Sequence, residues 1–270
     1  GRCSGFLVGS DLLVTAGHCI TGPTDCSENK WVFDYYVGVS GDSRGHIERI
    51  STKNIFACKE IISRQLQSGE GNDYAIIRLD HPVVGRSPMK VRRLGKVENA
   101  AELLVIGNPM GLPTKITKGG KVRRNDSATF FVGDLDTFQG NSGSAVINAK
   151  TFEVEGILVR GETDFKFDSA RGCMVHNTCT EGSCRGEDVT RITNISPLIP
   201  AGPTTSGDSS VVIEKKMLTV PILDFKTASV SLQVAQTSKI KKVELEISLR
   251  HSYLKDLIIG LRSPDGKVIV

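Results

Sequence analysis

The residues best suited to covalent chemistry lie near the middle of the chain, in the stretch Gly140-Asn141-Ser142-Gly143-Ser144. Glycines on both sides of Ser142 let the backbone turn tightly, present two N–H groups on one side and expose the hydroxyl. A nucleophile needs that local geometry. On its own, a Gly-Asn-Ser-Gly cluster between apolar segments is more typical of a simple turn.

Two upstream residues favour the chemical interpretation. His18 lies among small residues in Thr15-Ala16-Gly17-His18-Cys19, and Asp73 directly precedes the apolar segment Tyr74-Ala75-Ile76-Ile77. Taken singly, the histidine is more typical of a core or loop position and the aspartate of a strand entry. With Ser142 they occur in the order His, Asp, Ser, one of the chain orders of the acyl-transfer triad. That triad predicts Ser142 as nucleophile, His18 as general base and Asp73 as the group that orients the imidazole.

Composition limits the classes of protein to consider. The chain has 270 residues, 39% of them hydrophobic, and no apolar stretch approaches the 18 residues of a membrane span. The net charge of +4 arises in residues 209–270, which hold ten Lys/Arg and six Asp/Glu, leaving 24 of each in residues 1–208. No basic cluster is interleaved with aromatic residues, so we expect neither a nucleic-acid partner nor a membrane partner.

The cysteines indicate an oxidising compartment. There are seven of them, none in a CxxC pair, which argues against structural zinc and favours disulfides. An odd number leaves one thiol over, or a partner ahead of residue 1. Cys26 with Cys58 is the preferred pair, and two of Cys173, Cys179 and Cys184 are expected to close a small loop.

Short apolar segments separated by Gly, Pro, Asn and Asp recur over the first 196 residues and predict an all-β sandwich or barrel. No convincing amphipathic helix occurs before residue 190, although 61–67 allows one or two helical turns. The Pro-, Gly-, Ser- and Thr-rich segment 197–210 is predicted to be a linker. Beyond it, alternating Val243, Leu245, Ile247 and Leu249 predict a half-buried strand.

The motifs around the three candidate residues resemble those of the chymotrypsin/trypsin-like serine endopeptidases, especially the bacterial branch that contains glutamyl endopeptidases. The resemblance covers residues 1 to about 196 and rests on four segments of this sequence: Cys3 to Cys19, Asn72 to Ala75, Gly140 to Ser144 and Gly156 to Gly161.

The resemblance implies two six-stranded antiparallel β-barrels with the site between them, a Cys3–Cys19 disulfide beside His18, and no cofactor or metal. The N–H groups of Gly140 and Ser142 would form the oxyanion hole. The family position at the base of the primary pocket is occupied by Asp136, which favours cleavage after Arg or Lys. Substrate-contacting positions on the strand after Ser142 would be Leu158, Val159 and Gly161.

Three further positions qualify the specificity. Glutamyl endopeptidases carry a histidine where this chain has Leu158, which argues against glutamate preference, and Glu187 is expected near the same pocket wall. Asn141 replaces the aspartate that pairs with a freed N-terminus in trypsin-like zymogens. Arg160 replaces an aromatic residue of the next subsite, so the family's subsite preferences do not carry over.

Residues 211–270 resemble something else, the P domain that follows the catalytic domain of proprotein convertases, a β jelly roll. The match covers only the first half of that domain. We therefore expect a protease domain at 1–196 with its first strand missing, a linker at 197–210 and a truncated P-domain-like sandwich at 211–270. The whole is expected to be a secreted or periplasmic monomer acting on proteins or peptides. Glutamyl specificity and a non-catalytic binding protein on a protease fold are the alternatives.

Overall fold

A computed structural model describes residues 2–37, 50–69, 71–178, 184–200, 221, 227–231, 260–262 and 268–269. The chain divides into two compact units, Gly1–Thr204 and Thr205–Val270. The strands of the first unit are β1 (Phe6–Leu7), β2 (Leu12–Thr15), β3 (Lys30–Val32), β4 (Ile55–Leu66), β5 (Asp73–Leu79), β6 (Glu102–Gly107), β7 (Lys115–Arg124), β8 (Phe130–Gly133), β9 (Ala145–Asn148), β10 (Val154–Arg160), β11 (Phe165–Asp168), β12 (Cys173–His176) and β13 (Glu187–Arg191). A short helix, α1 (Pro23–Glu28), lies between β2 and β3.

The first half of this unit is an antiparallel sheet with the strand order β1-β2-β5-β4-β3. Strand β5 is central, and every residue of it except Arg78 is buried, which explains its nearly continuous apolar sequence. Thr15 at the end of β2 pairs with Ala75 near the start of β5. The residues that follow β2 and those that begin β5 are therefore neighbours in space.

The second half is a closed antiparallel barrel with the strand order β10-β13-β8-β7-β6-β9. A separate hairpin, β11 with β12, is inserted between β10 and β13. The sheet of the first half and this closed barrel confirm the predicted all-β double-barrel fold. The first half contributes five strands within the described residues, where the resemblance implied six.

Three clusters of buried side chains hold the unit together. One lies inside the first sheet around Leu13, Phe56 and Ile77, and another fills the barrel around Leu103, Phe131 and Val146. The third joins the two halves and draws side chains from both. Its members include Phe6, Val14, Tyr74, Ile76, Ala145, Ile157, Val159 and Ile192. Because apolar burial is the dominant favourable term in folding, this shared cluster fixes the first sheet against the barrel.

Two local predictions differ from the structure. No helix was expected before residue 190 apart from 61–67, yet the chain forms α1, which has Pro23 in its first turn and buries Cys26. The segment 61–67, for which a helical turn was allowed, belongs almost entirely to the long strand β4. Within the described residues, no helix combines the length and apolar character that a bilayer crossing requires.

In the second unit, the described strands are β14 (Leu261–Arg262) and β15 (Val268–Ile269), which pair antiparallel. The strand predicted around Val243 to Leu249 lies outside the described residues. The assignment of residues 211–270 to a P-domain-like jelly roll therefore stays a prediction, as do the domain boundaries.

Candidate active site

His18 and Asp73 form a pair in the first half of the unit, in which the carboxylate is buried and the imidazole is partly exposed. His18 lies in a short 3-10 turn, Gly17–Cys19, directly after β2, while Asp73 is the first residue of β5. The Nδ1 of His18 lies 2.8 Å from Oδ2 of Asp73, and the main-chain N–H of His18 donates to Oδ1 at 3.0 Å. The Asp73 side chain is 2% exposed, whereas that of His18 is 35% exposed.

This geometry assigns the two nitrogens of the imidazole different roles. A buried carboxylate at Nδ1 favours the tautomer with the proton on that nitrogen, which leaves Nε2 free to accept a proton. The second bond, from the main chain of His18 to the same carboxylate, fixes the position of the turn Gly17–Cys19 (the histidine segment) in addition to that of the imidazole ring. The pair is therefore arranged as a general base and its orienting acid.

Ser142 lies in a tight turn between β8 and β9. Within this turn the Asn141 N–H donates to the Phe138 carbonyl at 3.0 Å, and the Ser144 N–H donates to the Asn141 carbonyl at 2.8 Å. Gly143 has a φ of +88°, and a methyl group at its Cα would overlap the carbonyl oxygen of Ser4 and the hydroxyl of Thr15. This position therefore requires glycine.

The structure brings Ser142 beside the histidine segment. The main-chain oxygen of Ser142 lies 3.8 Å from Sγ of Cys19, the residue after His18. It also accepts a hydrogen bond from the Ser4 N–H at 2.8 Å. On the opposite side, the Gly143 N–H donates to the Leu158 carbonyl at 2.7 Å. The turn around Ser142, residues 138–144, is called the serine loop below. It is thus bound both to Ser4, which precedes β1, and to β10.

Ser4 is a residue of this site that the sequence pattern did not single out. Its hydroxyl donates to the Gly140 carbonyl at 2.9 Å and accepts from the Asn108 N–H at 2.9 Å. Ser4 is 4% exposed, and its bond to Gly140 is buried while the bond from Asn108 is partly buried. No motif marks this serine, and its place directly after Cys3 was its sole sequence signal.

The disulfides agree with the sequence predictions. Cys3 is bonded to Cys19 and Cys26 to Cys58. Cys184 also takes part in a disulfide, while Cys173 is an exposed free thiol. The sulfurs of Cys3 and Cys19 lie near His18 in a grouping that could resemble a metal site. Because these sulfurs are joined to each other, they are not thiolate ligands, and the residues do not fit a metal ion.

The predicted substrate-contacting residues occupy different environments. Asp136 is exposed, so it lacks the burial that the prediction of a pocket-base carboxylate requires. The side chains of Leu158 and Val159 are both 4% exposed and belong to apolar clusters, so neither side chain is accessible to a substrate. Gly161 is exposed just beyond the end of β10, and the Glu187 carboxylate lies against it.

Residues 3–157 match the family model described as the trypsin-like peptidase domain. A curated relative, the calcium-dependent protease of Nostoc sp. (strain PCC 7120), is 40% identical over 45 residues, which are 17% of this chain and 7% of that protein. The chain therefore spans only a small part of that relative's length.

Two solved structures are similar at lower identity. One, titled as a Glu endopeptidase in complex with MPD, is 17% identical with a TM-score of 0.48, covering 73% of this chain and 82% of that one. The other, the Rv3671c protease from M. tuberculosis in its active form, is 15% identical with a TM-score of 0.44, covering 72% and 70%. The family match spans more than half of the sequence and includes His18, Asp73 and Ser142, and the chain therefore belongs to the trypsin-like peptidase family.

Proposed function

We propose that this protein is a serine endopeptidase that hydrolyses peptide bonds through an acyl-enzyme. The observation that best supports the proposal is the His18–Asp73 pair, in which a buried carboxylate bonds both the imidazole and the main chain of one residue. Its position next to the Ser142 loop supplies a base where a hydroxyl nucleophile needs one.

In the proposed reaction, Oγ of Ser142 attacks the scissile carbonyl while Nε2 of His18 takes the hydroxyl proton. The C–N bond then breaks, and the imidazolium gives this proton to the leaving amine. A water molecule then attacks the acyl carbonyl while His18 takes a proton from it; the ester bond to Oγ breaks, the imidazolium returns the proton to Ser142, and the acid leaves. Asp73 stabilises the imidazolium in both steps, and no oxidant, metal or cofactor takes part.

The main chain of the serine loop suits the stabilisation of an oxyanion. Within the described residues, neither the Gly140 N–H nor the Ser142 N–H donates a hydrogen bond. These two unpaired donors, on the proposed nucleophile and two residues before it, are available for the tetrahedral intermediate, and each is worth about 3–4 kcal/mol in comparable sites.

We propose that activation does not use a freed N-terminus. Asn141 is 4% exposed and uncharged, and its Oδ1 accepts a hydrogen bond from the Ser144 hydroxyl at 3.3 Å. An uncharged amide with an internal partner offers no ion pair to an incoming ammonium group. For location, the disulfides favour secretion or the periplasm. We also propose protein or peptide substrates and cleavage after Arg or Lys.

A fluorophosphonate probe tests the reaction class directly, because it labels an activated serine and needs no knowledge of the substrate. The purified chain is expected to label at Ser142, and Ser142→Ala should abolish labelling. Ser169→Ala, which removes an exposed hydroxyl next to Asp168, serves as the matched control and should label normally. Labelling that persists in Ser142→Ala, or its absence from the unaltered chain, would contradict the proposal.

A further inference from the structure

Glu187 places a carboxylate between two segments that flank the serine loop. It is the first residue of β13, where it pairs with Gly133 of β8. Its side chain is half-buried and extends to the end of β10, where the carboxylate fills the space that a side chain at Gly161 would occupy. The absence of a Cβ at Gly161 is what allows the carboxylate to lie there.

Within the described residues, the hydrogen bonds to this carboxylate come from neutral donors. The Glu162 N–H donates to Oε1 at 3.3 Å, and the Thr137 hydroxyl also bonds the carboxylate. Thr137 belongs to the segment that leads to Ser142, while Glu162 follows β10, whose Leu158 binds the serine loop. The carboxylate is therefore enclosed from two sides by segments that converge on the candidate nucleophile.

The nearby guanidinium groups bind a different carboxylate, that of Asp188. Arg185 binds Asp188 at 2.8 Å with its Nη2, and Arg160 binds the same carboxylate at 3.1 Å with its Nε. Asp188 is 2% exposed and receives both cations. Within the part of the chain that the structure describes, Glu187 has no ion-pair partner, so acceptor capacity remains on its two oxygens.

A half-buried carboxylate without a cation is costly, and a ligand with several N–H donors offsets that cost best. We propose that Glu187, rather than Asp136, is the residue that selects an Arg or Lys side chain on the amino side of the scissile bond. This inference rests on the proposed peptidase function and identifies the substrate class of that site. Asp136 is exposed and in contact with water, where an ion pair contributes little.

The same environment makes the selection depend on pH. Burial, together with the negative charge of Asp164, raises the pKa of Glu187 to about 7. The Arg185 charge and the hydrogen bonds from Glu162 and Thr137 oppose that shift. The carboxylate is therefore expected to be neutral in acid and charged in base, so that preference for a cationic residue increases through neutral pH.

The test compares two peptides that differ only in Arg or Gln before the scissile bond. The ratio of their kcat/KM values cancels every pH effect on the reaction steps that the two substrates share. In the unaltered chain, we expect Arg to be preferred by about 100-fold at pH 8, with the ratio falling as pH decreases through 7. Glu187→Gln should lower the ratio at least about 30-fold and remove its pH dependence. Asp134→Asn, an exposed acid nearby, is the matched control.

A binding measurement separates this inference from the proposed function. Benzamidinium, a compact amidinium ion, can be titrated calorimetrically into the Ser142→Ala chain, which needs no catalysis. Glu187→Gln should weaken its binding at least about 30-fold. An unchanged ratio or unchanged benzamidinium binding in Glu187→Gln, or a loss that occurs in Asp136→Asn instead, would overturn the assignment. Absence of labelling with Glu187-dependent benzamidinium binding would overturn the peptidase mechanism alone.

Discussion

The hydroxyl of Ser4 offers a sharp test of how the serine loop is held in place. Ser4→Ala removes one oxygen atom and leaves the disulfide at Cys3 untouched. The change deprives the Gly140 carbonyl and the Asn108 N–H of the partners that the structure shows for them at 2.9 Å. Gly140 is buried, while Asn108 is half-buried and regains some solvation.

The magnitude follows from these two main-chain groups. A buried group left without a hydrogen bond costs about 1–3 kcal/mol, so that the two together are expected to lower the free energy of unfolding by about 2–4 kcal/mol. For a unit of this size, each kcal/mol shifts Tm by about 2–4 °C, which predicts a decrease of about 5–15 °C. Because the Gly140 N–H belongs to the proposed oxyanion hole, we expect kcat to fall at least about 10-fold with KM little changed.

Differential scanning calorimetry gives the stability, and steady-state hydrolysis well below Tm gives kcat and KM separately. Ser27→Ala is a matched control, because the Ser27 hydroxyl also donates to a carbonyl, that of Thr24, at 2.9 Å. That bond is exposed, so its loss should change stability by less than about 0.5 kcal/mol. If Ser4→Ala behaved like Ser27→Ala in both measurements, the Ser4 hydroxyl would not be what positions the loop.

Three further predictions follow from the described geometry. Asp73→Asn is expected to lower kcat about 10⁴-fold, since an amide favours the wrong tautomer of His18; a loss below about 10-fold in steady-state assays would contradict this role. Replacing Cys26 and Cys58 together by serine opens a link across 32 residues and should cost about 3–4 kcal/mol, measured by urea unfolding; an unchanged midpoint would contradict it. Burial raises the pKa of Glu187 from 4.5 to about 7, so the folded chain binds the extra proton between these values. Stability should therefore fall as pH rises from about 4.5 to about 7, and Glu187→Gln should flatten that slope in thermal melts.

Local motifs indicated the proposed catalytic residues. His18, Asp73 and Ser142 each lie in a short stretch whose glycines, small residues or following apolar strand suit one role, and their order along the chain links the three. The strand predictions succeeded for a similar reason, because β2 and β5 are defined by continuous or alternating apolar residues.

Features that depend on distant contacts or on irregular pairing were not predictable. Ser4 bonds Gly140 across 136 positions, and nothing near it in the sequence indicates that partner. Strand β4 has register shifts after Cys58 and after Ile61, which break the alternation of buried and exposed residues and made a helical turn plausible there. The difference between Asp136 and Glu187 depends on how loops pack around Gly161, which composition and spacing do not encode.

The wide separation of the contacts around Ser142 has a consequence for the newly made chain. The serine loop is bound to Ser4 and Leu158, and the imidazole of His18 is bound to a residue 55 positions away. Contacts between segments so far apart form slowly, because the intervening loops must first be closed. The hydrolytic centre should therefore be assembled only when both halves have folded and docked. Such a folding order would keep unfinished chains from cleaving one another, since a chain still exposed to cleavage would not yet be able to cleave.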